Sequence, residues 1–284
     1  MGTTAFGIQP QEHFNISSPV EYVAQVEINR PSKLNAFSPP MWTELRTIFS
    51  ALSHNPDVRA IIITGAGDKA FTAGLDVTAA SQGELGSGSP GTDPSRRATN
   101  LRRHIADYQD VVSTVARCEK PTIALMHGYS YGLAIDLSTA CDIRYCTSDV
   151  KFCVKEVDIG LAADVGTLSR LPKVIGFTSF CKEICLSARP FTAQEALHNN
   201  LVSRVLSSKA ELLEAGLELA ELIASKSPVA VQGTKNIIDA GYGRVLEDNL
   251  NYTAVWNAGM LQSSDVSRAM LSGLQKKKVK FEKL

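Results

Sequence analysis

The sequence predicts an α/β fold, and three observations carry that reading. Runs rich in β-branched residues, at 22–28, 60–64, 122–126 and 143–146, alternate with segments of helical periodicity. From Thr178 onward the pattern turns almost wholly helical. At 284 residues, 44% of them hydrophobic, the chain is long enough to bury a full core. The expected organisation is a sheet-containing core over 1–200 followed by a helical C-terminal region over 201–284, with no internal repeat.

Each element has a local cause. After the strand at 22–28, Pro39-Pro40 opens a helix to about His54, because proline suits the first helical turn and Trp42, Leu45, Ile48, Phe49 and Leu52 recur at spacings of three and four. The strand at 60–64 leads to a glycine turn. Residues 80–100 hold Gly83, Gly86, Gly88, Pro90, Gly91 and Pro94 and read as a mobile surface loop before a helix from about Leu101 to Arg117. The strand at 122–126 feeds another glycine turn and a helix beginning near Gly132-Leu133. Helices follow at 193–199, 209–225, 229–240, 246–258 and 266–275, with an extended break at 201–206. The late apolar positions Leu212, Leu213, Leu217, Leu219, Leu222 and Ile223 must cover the core or another subunit, so self-association is expected.

Composition removes several function classes. Lys+Arg and Asp+Glu each number 29, so no net field recruits nucleic acid or an anionic membrane. The basic run Lys276, Lys277, Lys278, Lys280 and Lys283 reads as a solvated terminus or a phosphate contact. Six cysteines lack CxxC pairs and zinc spacing, which argues for reduced thiols, and Cys181 and Cys185, four apart, fit two small buried hydrophobes on one helix face. No stretch approaches 18 apolar residues, and the opening Met1-Gly2-Thr3-Thr4-Ala5-Phe6 has neither a signal core nor an Arg-rich amphipathic pattern. A soluble protein is expected, with chance sequons at Asn15 and Asn251.

The chemistry-bearing residues are acids in apolar company. Glu156 and Asp164 stand eight residues apart among small and apolar neighbours, and Asp136 lies upstream in Gly132-Leu133-Ala134-Ile135-Asp136-Leu137. Burying an unpartnered carboxylate raises its pKa, so three such acids suggest proton transfer, against the plainer reading as caps or turn acids. If Phe152, Val154 and Glu156 share one face of an extended segment, Glu156 emerges from an apolar surface.

Three motif readings compete. Gly65-Ala66-Gly67-Asp68-Lys69-Ala70 fits the dinucleotide pattern GxGxxA, but Thr72, Gly74 and a Gly/Ser loop follow where a helix is required. Gly128-Tyr129-Ser130-Tyr131-Gly132 fits the GxSxG nucleophile elbow, yet the one later histidine is His198, inside an amphipathic segment. The third reading pairs the turn before Leu133 with Lys69-Ala70-Phe71-Thr72-Ala73-Gly74-Leu75-Asp76. If their strands are neighbours, one N–H from each makes a two-donor oxyanion hole for an acyl carbonyl becoming an enolate, with carboxylates beyond it to move the α-proton.

With these residues in hand, the chain resembles the crotonase (enoyl-CoA hydratase/isomerase) superfamily from about Tyr22 to Gly273. The marks are Ile28-Asn29-Arg30-Pro31 with Asn35-Ala36-Phe37, the segment at 69–76, Glu119-Lys120-Pro121-Thr122-Ile123-Ala124, the segment at 128–136 with Ala140-Cys141-Asp142-Ile143-Arg144, and Ser227-Pro228-Val229-Ala230 with Thr234-Lys235. A hydratase of that superfamily would carry Glu at 136, Glu at 156 and typically Gly at 164. Asp136 and Asp164 instead make the chain similar to the branch that isomerises 3,5-dienoyl thioesters of coenzyme A to 2,4-dienoyl thioesters in fatty-acid β-oxidation.

The resemblance implies a ClpP-like spiral of ββα units with a helical C-terminal trimerisation region, and a homotrimer or hexamer. It implies an acyl-CoA substrate with no further cofactor and no metal. Glu156 would serve C2 and Asp164 C6, or the reverse, with Asp136 tuning the pair; Ala73 and Leu133 would supply the oxyanion N–H groups. Lys33, Ala36 and Leu75 match the nucleotide-binding segment. The usual Gly-Gly-Gly run is Gly132-Leu133-Ala134 here, so the Leu133 side chain must point away from substrate. Enoyl-CoA hydration, a serine hydrolase using Ser130, and a non-catalytic acyl-CoA or RNA binder are the alternatives. Glu282-Lys283-Leu284 resembles the peroxisomal Ser-Lys-Leu address with Glu at the small position, which points to the peroxisomal matrix over mitochondria or cytoplasm.

Overall fold

The computed structural model describes residues 5–78, 93–275 and 279–284. Among the described residues, ten strands form two sheets. The first has β1 (Phe14–Ser17), β2 (Val23–Ile28), β3 (Ala60–Gly65), β5 (Thr122–Met126), β7 (Ile143–Thr147) and β10 (Arg204–Leu206) in that order, antiparallel only at β1–β2. The second runs β4 (Ala70–Thr72), β6 (Tyr129–Tyr131), β8 (Lys151–Cys153) and β9 (Phe191–Thr192), antiparallel only at β8–β9. Consecutive strands β3/β4, β5/β6 and β7/β8 each place one member in each sheet and are followed by a helix: α2 (Pro94–Ala116), α3 (Leu133–Ala140) and α4 (Thr167–Ile175). This is the expected spiral of ββα units.

Both faces of the central parallel strands are buried, which is why they read as continuous apolar runs. Ile61, Ile63, Ala124 and Met126 face one core with α1 (Pro39–Ser53), α2 and α3; Ala60, Ile62, Ile123 and Leu125 face a second core under α7 (Lys209–Ala224). Met41, Trp42, Leu45, Ile48, Phe49 and Leu52 are the buried stripe of α1, as its spacing predicts, and each such side chain contributes about 1.5–3 kcal/mol of transfer free energy. A Cβ on Gly216 would lie 2.4 Å from Leu125, so the glycine lets α7 settle on β5.

Two expectations are corrected. Helix α2 begins at Pro94 rather than near Leu101, because Asp93 caps it by accepting from the N–H groups of Ser95 and Arg96 at 3.0 and 3.1 Å. The remainder of the expected loop, 80–92, lies outside the described residues, as do Lys276, Lys277 and Lys278. Across residue 200, β10 pairs with β7 and α7 covers the first sheet. Glu156 does not continue an extended segment: β8 ends at Cys153 and Glu156 opens a 3-10 turn over Glu156–Ile159.

Helices α5 (Ser179–Ser187), holding Cys181 and Cys185, and α6 (Ala193–His198) lie before β10. The chain closes with α8 (Pro228–Gly241), α9 (Leu246–Met260) and α10 (Ser264–Gln275), where Leu246, Leu250, Val255, Leu261, Met270 and Leu271 are exposed. No helix among the described residues is long and apolar enough to cross a membrane.

Candidate active site

The first wall of the site is the turn after β4. Asn35, fully buried with φ +57°, donates to the carbonyls of Ala66 and Ala70 at 3.0 and 2.9 Å and accepts from Arg30 N–H at 2.9 Å. Its own carbonyl accepts from Thr72 Oγ1 at 2.7 Å. This staple fixes the chain at 69–76 against the segment at 30–37, and Arg30 adds contacts to Ala36 O and Asp76 at 2.9 and 2.7 Å. The backbone donors there are then nearly all assigned. Ala73 N–H goes to Leu34 O at 2.9 Å, Gly74 N–H to Thr72 Oγ1 at 3.1 Å, and Asp76 N–H to Phe37 O at 3.0 Å. Ala73, expected to serve an oxyanion, has therefore spent its donor. In the parallel bridge between Phe37 and Leu75, Phe37 bonds the flanking residues, so the N–H of Leu75 points to the opposite side.

The second wall is the turn from β6 into α3. Gly132 adopts φ +51° and ψ −110°, a conformation that favours glycine, and its N–H is held by Cys153 O at 2.9 Å. Leu133 is the first helical residue, where the backbone N–H has no intrahelical acceptor. Strands β4 and β6 are paired, which satisfies the condition the sequence set for two donors meeting. Gly74 and Leu133 adjoin: a Cβ on Gly74 would stand 3.7 Å from Leu133 N.

All three acids reach the cleft these turns bound. Its lining includes Ala73, Gly74, Leu75, Gly132, Leu133, Asp136, Glu156 and Asp164, around about 910 Å³ of open space. Asp136, 2% exposed on α3, accepts from Thr167 N–H at 2.5 Å through Oδ1. Burial, then the Glu156 charge, push its carboxyl up to about 7 against the opposing pull of Thr167 and Arg170. Glu156 is half-buried, and burial, then the nearby Asp164 charge, raise its pKa against opposing backbone hydrogen bonds. Its Oε2 has no hydrogen-bond partner among the described residues. Asp164 is exposed, and its carbonyl accepts from Gln109 Nε2 at 2.6 Å. The cleft thus combines a carboxyl that titrates near neutrality with a second, more solvated one, an arrangement suited to giving and taking protons at separate points.

Lys33 and Ala36 do not line this cleft. Lys33 is an exposed residue of a 3-10 turn at Pro31–Lys33, and Ala36 is half-buried beside it. Two rival motifs lose their geometry. The glycine run at 65–70 enters β4 rather than a helix, and Ser130 is fully buried within β6, where no substrate reaches its hydroxyl.

The sequence reading missed the aromatic residues that line the same cleft. Trp42 stacks on Tyr108 with centroids 4.1 Å apart and planes 4° from parallel, and His104 tilts against Tyr108 at 4.3 Å. Trp42 was legible as a core position, and His104, Ile105 and Tyr108 lie on one side of α2, but nothing local says which helix faces which cleft.

Comparison with known proteins follows the geometry. The sequence pattern of a family described as enoyl-CoA hydratase/isomerase matches residues 20–283. The chain is 44% identical over 276 residues to a rat (Rattus norvegicus) protein named Delta(3,5)-Delta(2,4)-dienoyl-CoA isomerase, mitochondrial, covering 96% of this chain and 84% of that one. It is 43% identical to the Arabidopsis thaliana protein named Delta(3,5)-Delta(2,4)-dienoyl-CoA isomerase, peroxisomal, over 90% of this chain and 91% of the relative. Among solved structures, an enoyl-CoA hydratase from Bacillus anthracis superposes with a TM-score of 0.85 at 26% identity, covering 95% of this chain and 99% of that one.

Proposed function

The chain belongs to the enoyl-CoA hydratase/isomerase family, and from that premise we propose that its cleft moves a proton from C2 to C6 of a 3,5-dienoyl-CoA, giving the conjugated 2,4-dienoyl-CoA. The protein is an isomerase of fatty-acid metabolism, as its near-full-length similarity to dienoyl-CoA isomerases of animals and plants indicates. The single observation that supports the mechanism is the convergence of Asp136, Glu156 and Asp164 on one cleft beside the two backbone turns.

In this reading the thioester oxygen sits against the N–H groups of Leu75 and Leu133, since Ala73 has given its donor to Leu34. Two preorganised donors lower the cost of the dienolate that forms when C2 loses its proton. Glu156, its basicity raised by burial, takes the C2 proton; Asp164, which lines the same cleft, delivers one to C6. Asp136, which feels the Glu156 charge, is the tuning acid beside the pair. Leu75 borders the thioester end, with Ala36 and Lys33 outside the cleft as contacts for the nucleotide of coenzyme A. Exposed apolar positions on α9 and α10 support a homotrimer or hexamer. The peroxisomal matrix is the compartment favoured by Glu282-Lys283-Leu284 and the plant relative, with mitochondria the alternative.

The test is direct. Purified protein given a 3,5-dienoyl-CoA should produce the ultraviolet absorbance of a 2,4-diene, and Glu156→Gln and Asp164→Asn should each slow it about 10²–10⁴-fold. Absence of signal from the unmodified protein, or full activity in both variants, overturns the reading.

A further inference from the structure

Arg170, on α4, is held in an unusual way for a side chain no motif singled out. Its Nη2 donates to Ser113 Oγ on α2 at 2.7 Å, while Nη1 is buried with no hydrogen-bond partner among the described residues. The guanidinium points its Nη1 at Gly166. A Cβ there would stand 1.9 Å from Nη1 and 3.5 Å from Asp136 Oδ1, so the two charged atoms are at most about 5.4 Å apart across the glycine. No direct ion pair joins them among the described residues. Gly166 has φ 163°, an extended value open to any residue, so what excludes a side chain is the space the guanidinium fills.

The other branch runs through α2. Ser113 Oγ, which accepts from Arg170, donates to Gln109 O at 2.6 Å, and Gln109 Nε2 donates to the carbonyl of Asp164 at 2.6 Å. One cation therefore touches the surroundings of two of the three acids.

We propose that Arg170 is a positioning residue that governs Asp136 across Gly166 and Asp164 through Ser113 and Gln109. The proposal rests on the reading in which Asp164 transfers a proton and Asp136 tunes the pair. An opposite charge at this range favours the carboxylate and counters the burial and the Glu156 charge that oppose it. The charged groups facing this cluster are Glu156 from the 3-10 turn, Asp136 from α3, Arg170 from α4, and Arg117 at the end of α2, which repels Arg170 while pairing with Asp110. Breaking the Ser113 link loosens the loop that carries Asp164 without touching the charge on Asp136.

The experiment reads Asp136 apart from turnover. The infrared band of its protonated carboxyl, assigned by its loss in Asp136→Asn, is titrated in the unmodified protein, Arg170→Met, Arg170→Lys, Gly166→Ala and Ser113→Ala. The titration midpoint should move up by about one to three pH units in Arg170→Met and return toward the original in Arg170→Lys. Gly166→Ala, which drives the guanidinium aside while leaving arginine in place, should move it the same way and covers the case in which Arg170→Met fails to fold. Ser113→Ala should leave the midpoint unchanged and lower kcat about tenfold with KM nearly constant. An unmoved midpoint in folded Arg170→Met or Gly166→Ala overturns the proposal, as does full kcat in Ser113→Ala. Full activity in Asp136→Asn overturns the assignment of that acid instead.

Discussion

Glu156 and Gly132 adjoin in the cleft: a Cβ added to Gly132 would stand 3.1 Å from Glu156 Oε1. The same glycine holds φ +51°, so its lack of a side chain serves both the backbone turn and the carboxylate beside it. Gly132→Ala should cost about 1–3 kcal/mol of stability from the strained conformation and lower kcat at least tenfold by displacing Glu156. Urea denaturation and steady-state kinetics check the two parts separately.

The roles of the two outer acids separate by isotope exchange. In deuterated solvent, Asp164→Asn should still exchange the C2 proton of substrate while accumulating little 2,4-diene. Glu156→Gln should lose both the exchange and the product. Mass spectrometry of recovered thioester decides it, and the opposite pattern would exchange the roles.

Asp136 makes folding stability depend on pH in a defined direction. Its carboxyl titrates near 7 in the fold and at an ordinary acidic value when unfolded, so between those pH values the folded chain binds more protons and stability falls as pH rises. Asp136→Asn keeps an acceptor for Thr167 N–H and removes this penalty. Its Tm should exceed that of the unmodified protein at pH 8, with no such gain at pH 4, in thermal scans at both values.

His127 has the opposite dependence. Burial, then the Lys209 charge, lower its pKa to about 4, and its Nε2 meets Gly67 O at 2.8 Å. The unfolded histidine binds a proton near 6.5, so stability is lost as pH falls from that value toward 4. His127→Gln, which retains a donor for Gly67, should flatten the acid limb of a Tm-against-pH curve between 6.5 and 4.

The oxyanion assignment predicts a contrast between neighbouring amides. Replacing the Leu75 N–H by an ester oxygen should cost about 10²–10³-fold in kcat. The same replacement at Ala73 removes the bond to Leu34 and should lower Tm with a much smaller effect on turnover, measured on semisynthetic protein.

Much of this was written in the chain. The strands β2, β3, β5 and β7 and the stripe of α1 follow from period and composition, because they are buried on faces whose spacing the sequence repeats. Glu156, Asp164 and Asp136 stand out as acids among apolar residues, and they do share a cleft. The three-residue strands β4, β6 and β8 were invisible, since so short a segment carries no period, and their pairing alone sets the two turns side by side. Tertiary structure also decided which N–H remains available: Ala73 and Leu75 look equivalent in a glycine turn until Leu34 and Phe37 claim the donors around them. Arg170 reads as an ordinary basic residue on a short helix, and only the approach of α4 to Asp136 over Gly166 gives its charge a target. The sequence determined which groups can carry protons and roughly where the core lies, because those are properties of residue type and spacing. Which of those groups meet, and which backbone donors are left to meet a substrate, was settled by contacts between segments far apart in the chain.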